Sequence, residues 1–217
     1  YTNKMVEELL NKHLILKGYE IICREKAIGN HRIDFLLSKD QIDMPFEVKS
    51  STLFEDSIAM FPDAVTIRGR KHIELLSQIN GGIIFVVHNP HIQYFLPDFH
   101  TDPFFSKSLY ENRHRLKILA ISIRCDESLG FEFVRELKIP WHIYEQEARD
   151  RGSYLIVGFL NEDKKINVGG IGEKLFQKGY YIYIGSAMNS LSKRIYRHLK
   201  KEKSIYYHID YLIAHLS

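Results

Sequence analysis

The sequence predicts an α/β fold: a mixed central sheet flanked by helices, followed by a small α+β domain. Three observations lead there. Helix-spaced and strand-like apolar patterns alternate through the first 137 residues in the order helix, three strands, helix, strand, helix, strand. The run "GIIFVVH" (82–88) is apolar without alternation, as in a strand covered on both faces. The segment "IPWHIYEQEARDRG" (139–152) then interrupts the pattern, and new strands begin after it.

Taken in order, "MVEELLNKHLI" (5–15) has apolar residues at helical spacing and predicts an amphipathic helix. "YEIICR" (19–24), "HRIDFLLS" (31–38) and "MPFEVKSST" (44–52) read as strands, and the turn residues of "SKDQID" make a hairpin of the last two. "TIRGRKHIELLSQI" (66–79) is helical, stopped by "NGG" at 80–82. "DPFFSKSLYENRHRL" (102–116) is a helix with Pro103 near its start. "KILAISIRC" (117–125) is a strand and "GFEFVREL" (130–137) an edge strand. In the second part, "SYLIVGFL" (153–160) and the Tyr-rich "GYYIYIGSA" (179–187) are strands, "LSKRIYRHLKKEK" (191–203) is a basic helix, and "YYHIDYLIAHL" (206–216) is a strand or a helix. The expected domains are 1–145 and 146–217.

Composition narrows the function classes. The 217 residues are 45% hydrophobic and 26% charged, enough for a sizeable core. No run of about 18 apolar residues and no signal-peptide pattern occur, so neither a membrane partner nor secretion is expected, and a cytoplasmic location is. Cys23 and Cys125 form no CxxC, which argues against a zinc cluster and for two small buried hydrophobes. Net charge divides unevenly. Residues 151–217 hold 11 Lys and Arg against 5 Asp and Glu, net +6, while residues 1–150 hold 19 against 22, net −3. A basic C-terminal third is expected either to meet a polyanion or to be a solvated surface. The first residue is Tyr1 rather than Met, so the chain is expected to be a piece of a longer one.

The stretch "PFEVKSST" (45–52) carries the chemistry. Phe46 and Val48 point to one face of a strand, Glu47 and Lys49 to the other. Asp34 lies in the preceding strand among apolar neighbours. If the two strands pair, Asp34 and Glu47 meet near one end of the sheet. Two carboxylates and a peptide carbonyl make a hard oxygen site for Mg²⁺ or Mn²⁺. Such a cation activates water and neutralises charge on a phosphodiester, and Lys49 is placed to orient that water or stabilise the developing charge. Glu7 or Glu8 of the first helix is a further candidate ligand. The alternative for the pair is a surface ion pair worth little. Asp63 is either a fourth acid or, preferably, the cap of the helix that follows. Ser50, Ser51 and Thr52 either bind phosphate or end the strand.

An Asp followed on the next strand by E-x-K, after a helix, resembles the PD-(D/E)xK nuclease fold. "RIDFLL", "FEVKSSTLFED", "AMFPDAVTIRGRKHIELL" and "FFSKSLYE" more narrowly resemble the sugar fermentation stimulation protein (SfsA) family, over about residues 1–137. That resemblance implies DNA binding, with Asp34, Glu47 and Lys49 as site residues and Asp34 and Glu47 as metal ligands. Arg68, Arg70 and Lys71 become phosphate-binding candidates, unless they are only a solvated helix face. The family carries an OB-like module before the nuclease-like domain, and this chain is expected to lack it.

The basic C-terminal part has its own pattern. On a helix, Arg194 and His198 share a face and can reach one phosphate, with Arg197 and Lys201 beside them. Leu191, Ile195 and Leu199 then form the apolar stripe opposite. "GSYLIV", "GYYIYIGSA", "RIYRHL" and "HIDYLIAH" resemble the GIY-YIG nuclease superfamily, and its DUF123 branch most. The resemblance implies that Tyr154 and Tyr183 assist a nucleophile, that Arg194 and His198 stabilise phosphate charge, and that a glutamate beyond Ser217 binds metal. His208 is a weaker candidate and His215 a structural residue. The domain is expected to be C-terminally incomplete.

Two functions fit: a divalent-metal-dependent nuclease, or a nucleic-acid-binding regulator that keeps a nuclease fold. DNA is the expected partner in both. A sugar-linked enzyme fits less well, because "GGIGEK" (169–174) lacks the spacing of a phosphate loop.

Overall fold

The computed structural model describes residues 1–127, 130–200 and 202–217. It forms two compact units, 1–148 and 149–217. Among the described residues no helix is long and apolar enough to cross a membrane.

The first unit is built on a six-stranded mixed sheet. Helix α1 (Thr2–Asn11) precedes strands β1 (Glu20–Ile28), β2 (His31–Lys39) and β3 (Ile42–Ser51), with β2 antiparallel to both of its neighbours. The β2–β3 turn is a two-residue loop in which Asp40 and Gln41 both take positive φ, 51° and 64°. That loop type matches the twist of the strands it joins, and it fixes their register at Phe35 opposite Phe46. Short strands β4 (Leu53–Glu55) and β5 (Ile58–Phe61) follow, then helix α2 (Ile67–Gln78). Strand β6 (Gly82–Val87) runs parallel to β3 and is buried along its whole length, as its unbroken apolar run requires. Strand β7 (Tyr94–Pro97) and helix α3 (Pro103–Asn112) follow, strand β8 (Lys117–Cys125) pairs parallel with β6 to complete the parallel core, and β9 (Phe131–Glu136) lies on the edge. The sheet order is β1-β2-β3-β6-β8-β9. Helix α4 (Trp141–Glu147) closes the unit.

Two cores cover the two faces. Met5, Val6, Leu9 and Leu10 of α1 pack with Phe35, Phe46 and Val48 on one side. Ile73 and Leu76 of α2 pack with Ile83, Phe85 and Phe105 on the other. Several expectations change. The strands β4, β5 and β7 form a separate three-stranded sheet with no counterpart in the sequence reading. Helix α4 lies inside the segment read as an interruption. Thr66, not Asp63, caps α2, by accepting the Gly69 N–H at 3.0 Å. Cys23 is half-buried and Cys125 exposed, so neither is a core residue.

The second unit is smaller. Strands β10 (Gly152–Leu160) and β13 (Gly179–Ala187) pair antiparallel without a break, and β11 (Lys164–Asn167) pairs with β12 (Glu173–Phe176). Helix α5 (Leu191–Leu199) is anchored at its start by Asp150, whose carboxylate accepts from Ser190, the Ser192 hydroxyl and the Ser192 N–H. The segment read as strand or helix contains helix α6 (His208–Ile213). Ile166, Val168, Ile209 and Leu212 form the core. The expected apolar stripe of α5 is corrected: Leu199 is 64% exposed, while His198 is fully buried. The strands offer tyrosine rings rather than aliphatic side chains to the helix, and the histidine packs on them, 5.7 Å from the Tyr154 ring and 5.6 Å from the Tyr183 ring.

Candidate functional site

In the first unit the β2–β3 ladder ends at Phe35 and Phe46. One step further, the Asp34 carboxylate takes over: its Oδ2 accepts the Val48 N–H at 2.7 Å, and its Oδ1 accepts from the Asn3 amide at 2.8 Å. A side chain thus replaces the partner strand, and the carboxylate is held at the place where the strands part. Glu47 lies next to it and is buried. Its Oε1 accepts from Lys49 Nζ at 2.7 Å and from His72 Nδ1 at 2.7 Å. Its Oε2 is buried with no hydrogen-bond partner. Nearly all buried polar atoms are satisfied, so an orphaned carboxylate oxygen marks a place for a further charge partner.

The two acids differ electrostatically. Burial and the neighbouring Glu47 charge raise the Asp34 pKa, against the Val48 N–H, Asn3 and Lys49, which lower it. Burial also pushes Glu47 up, but His72 and Lys49 outweigh it and hold Glu47 below the usual carboxylate range. A carboxylate accepts only, so His72 carries its proton on Nδ1. Two oxygen-donor acids, one with an unsatisfied oxygen, fit a hard cation such as Mg²⁺ or Mn²⁺ that keeps several waters of its own. Among the described residues no group of three or more His, Cys, Asp and Glu side chains forms a metal cage. Asp34 and Glu47 would be the protein's ligands.

The other candidates of this unit are placed as follows. Glu7 pairs with Arg24 and Glu8 with Lys12, so neither carboxylate joins the pair of acids. Asn3 is the residue that α1 contributes instead. Ser51 donates to the Met60 carbonyl and ties β3 to β5. Arg68 and Lys71 are exposed on α2. Arg70 lies 3.8 Å from Glu74 and over the Phe104 ring. His72 escaped the sequence reading. Its signal is its spacing: with Gly69, Ile73 and Leu76 it falls on the buried face of α2, where a polar side chain needs a partner.

In the second unit, Tyr154, Tyr183, Arg194 and His198 converge. The Tyr154 phenol oxygen lies 2.9 Å from His198 Nε2. The Tyr154 and Tyr183 rings are 6.2 Å apart. Burial and Tyr183 raise the Tyr154 pKa, while Arg194 lowers it. Arg194 also stacks over Tyr207 at 4.9 Å. Gly185 is needed for this packing, because a Cβ there would collide with the Tyr154 phenol. Arg197 turns to Asp210, at 2.9 Å, and to the Ser204 carbonyl. Lys201 lies outside the described residues. His208 begins α6 and His215 is exposed. Asp210, also missed, is a buried acid inside the apolar stretch "HIDYLI".

Comparison with known proteins agrees with this division. Residues 1–128 match the family described as "Sugar fermentation stimulation protein RE domain", and residues 153–217 match "Domain of unknown function DUF123". A sugar fermentation stimulation protein homolog from Thermoanaerobacter sp. (strain X514) is 36% identical over 141 residues, covering 62% of this chain and 61% of that protein. One from Clostridium tetani is 38% identical over 146 residues, covering 63% of each chain. One from Methanosphaera stadtmanae is 44% identical over 120 residues, 51% of this chain and 49% of the relative. The chain therefore spans at most about three fifths of these relatives. Among solved structures, Pyrococcus furiosus SfsA in complex with Ca²⁺ is similar at 29% identity and a TM-score of 0.59, over 63% of this chain and 62% of that one.

Proposed function

The chain belongs to the sugar fermentation stimulation protein family, and from that premise we propose that it is a DNA-binding protein whose first unit hydrolyses phosphodiester bonds with a divalent metal. The observation that carries this reading is the orphaned Glu47 Oε2 beside Asp34. Two acids facing a polyanion repel it unless a cation lies between them. Lys49 bonds Glu47 through Oε1, which leaves Oε2 open. The Ca²⁺ in the Pyrococcus furiosus relative supports the same reading, since Ca²⁺ and Mg²⁺ share a preference for oxygen ligands.

The contacts support a division of labour. Bound Mg²⁺ or Mn²⁺ supplies Lewis-acid stabilisation and a nucleophilic water. Asn3 and the Val48 N–H orient Asp34, and His72 orients Glu47. Lys49, its side chain 20% exposed at the edge of the site, stabilises charge developing on phosphate. Arg68 and Lys71 on α2 hold the DNA backbone. In the second unit, Tyr154, Tyr183, Arg194 and His198 form a second phosphodiester site, supported by the Tyr154–His198 contact.

A cleavage assay on labelled duplex and single-stranded DNA, in Mg²⁺, Mn²⁺ or EDTA, tests the proposal. Cutting in either metal, none in EDTA, and a loss of about a hundredfold or more in Asp34→Ala and Glu47→Ala is the expected result. Salt-sensitive binding without cutting under any of these conditions would make the chain a binder that retains a nuclease fold.

A further inference from the structure

Asp210 is buried in the second unit, with its side chain fully inaccessible. Burial alone would raise its pKa, but the donors around it prevail and hold it far below the usual carboxylate range. Those donors are the N–H groups of Tyr206 and Tyr207 at 3.0 and 2.9 Å, Arg197 at 2.9 Å and Lys203 at 3.3 Å. The backbone donors take Oδ2. Oδ1 faces His198 Nδ1 at 3.3 Å. His198 is itself fully buried, and its other nitrogen holds the Tyr154 phenol.

The direction of each hydrogen bond follows from chemistry. An ionised carboxylate only accepts, so His198 Nδ1 carries a proton. Burial lowers the His198 pKa, and the Lys203 and Arg197 charges lower it further, against Asp210, which raises it. The ground state is then a neutral ring with its lone pair on Nε2, and the Tyr154 O–H donates to that nitrogen. Donation runs one way, from Tyr154 to His198 to Asp210. Tyr183 and Tyr207 pack on the imidazole at 5.6 and 5.2 Å and keep water from it.

We propose that Asp210 is a positioning residue that fixes His198 as the proton acceptor of Tyr154, so that the Tyr154 phenol oxygen acts as general base toward water at a phosphate ester. The proposal rests on the reading of the second unit as a phosphodiester site. As the water oxygen bonds to phosphorus, its proton passes to the Tyr154 oxygen and the phenol proton passes to His198 Nε2. The bond from phosphorus to the leaving oxygen breaks, and solvent protonates that oxygen. The imidazolium formed lies against Asp210, which lowers its cost. Arg194, beside Tyr154, takes the phosphate charge. This role separates Asp210 from Arg197 and Lys203, whose cations bond the carboxylate, and in the case of Lys203 the His198 carbonyl, but not the imidazole.

Nitrogen-15 NMR of the full chain reads the arrangement directly. The expected result at pH 7 is a neutral His198 protonated on Nδ1, assigned by its loss in His198→Gln. A proton on Nε2, or a charged ring, would overturn the proposal. The second arm uses Asp34→Ala/Glu47→Ala protein, which silences the first unit, with the p-nitrophenyl ester of thymidine 5′-phosphate and Mn²⁺ as probe. Adding Asp210→Asn should lower kcat about a hundredfold at unchanged KM and shift His198 toward the Nε2–H form. Unchanged kcat in folded Asp210→Asn overturns the positioning role. The expected tautomer with no hydrolysis by the parent protein keeps the hydrogen-bond chain and overturns the phosphodiester reading beneath it.

Discussion

Glu47 is satisfied on one oxygen and open on the other, and that asymmetry comes from two neighbours. Lys49 and His72 both bond Oε1, which rotates Oε2 into a buried position with no protein partner. Removing His72 frees the carboxylate to turn. His72→Ala is expected to weaken divalent-metal affinity about 10- to 100-fold, the usual effect of losing a group that orients a ligand, read by calorimetric titration. Asp210 gives a residue-level prediction of another kind. Its folded pKa is depressed, so its contribution is complete at neutral pH and is lost as pH falls through the acid range below about 4. Melting of the wild type should therefore drop steeply there. Asp210→Asn should be less stable at pH 7 and show a flatter acid limb. Equal acid limbs would show that the buried carboxylate is not the titrating group.

At the scale of elements, the site depends on where ladders and helices stop. The β2–β3 pairing ends one residue before Asp34 and Glu47, and the parting strands give the two carboxylates room. Helix α2, which carries His72, is fixed at its start by a shared acid. Asp102 caps α3 through the Phe105 N–H at 2.9 Å and also accepts the Thr66 N–H at 2.8 Å, while Thr66 caps α2. One buried carboxylate thus sets two helix starts. Thr66→Ala should cost about 1 kcal/mol as an ordinary cap loss. Asp102→Ala should cost about 2–3 kcal/mol, since it strips one buried and one half-buried N–H group of their acceptor. Urea unfolding measures both, and an Asp102→Ala cost no larger than that of Thr66→Ala would refute the shared-cap account.

For the whole molecule, the sequence was legible where pattern and burial coincide. The continuous apolar run of β6 announced a central strand, and the hairpin of β2 and β3 followed from alternation and a turn. Strands β4, β5 and β7 are three or four residues long, too short to leave a period, and they were not visible. The face that α5 buries was also misjudged, because a stripe of leucine and isoleucine looks like a core until the tyrosines of β10 and β13 claim His198. Within the candidate sites, Asp34, Glu47 and Lys49 stood out as charges inside apolar strands. Asn3, His72 and Asp210 did not, because each acts by holding another residue and its role appears only once the chain is folded. In the proposed site, Asp34 and Glu47 hold one divalent cation between them. Calorimetric titration of Mn²⁺ into the wild type, Asp34→Asn and Glu47→Gln tests it most directly. One site in the wild type and at least a tenfold loss of affinity in each variant is the expected result. Equal binding by all three proteins would contradict it.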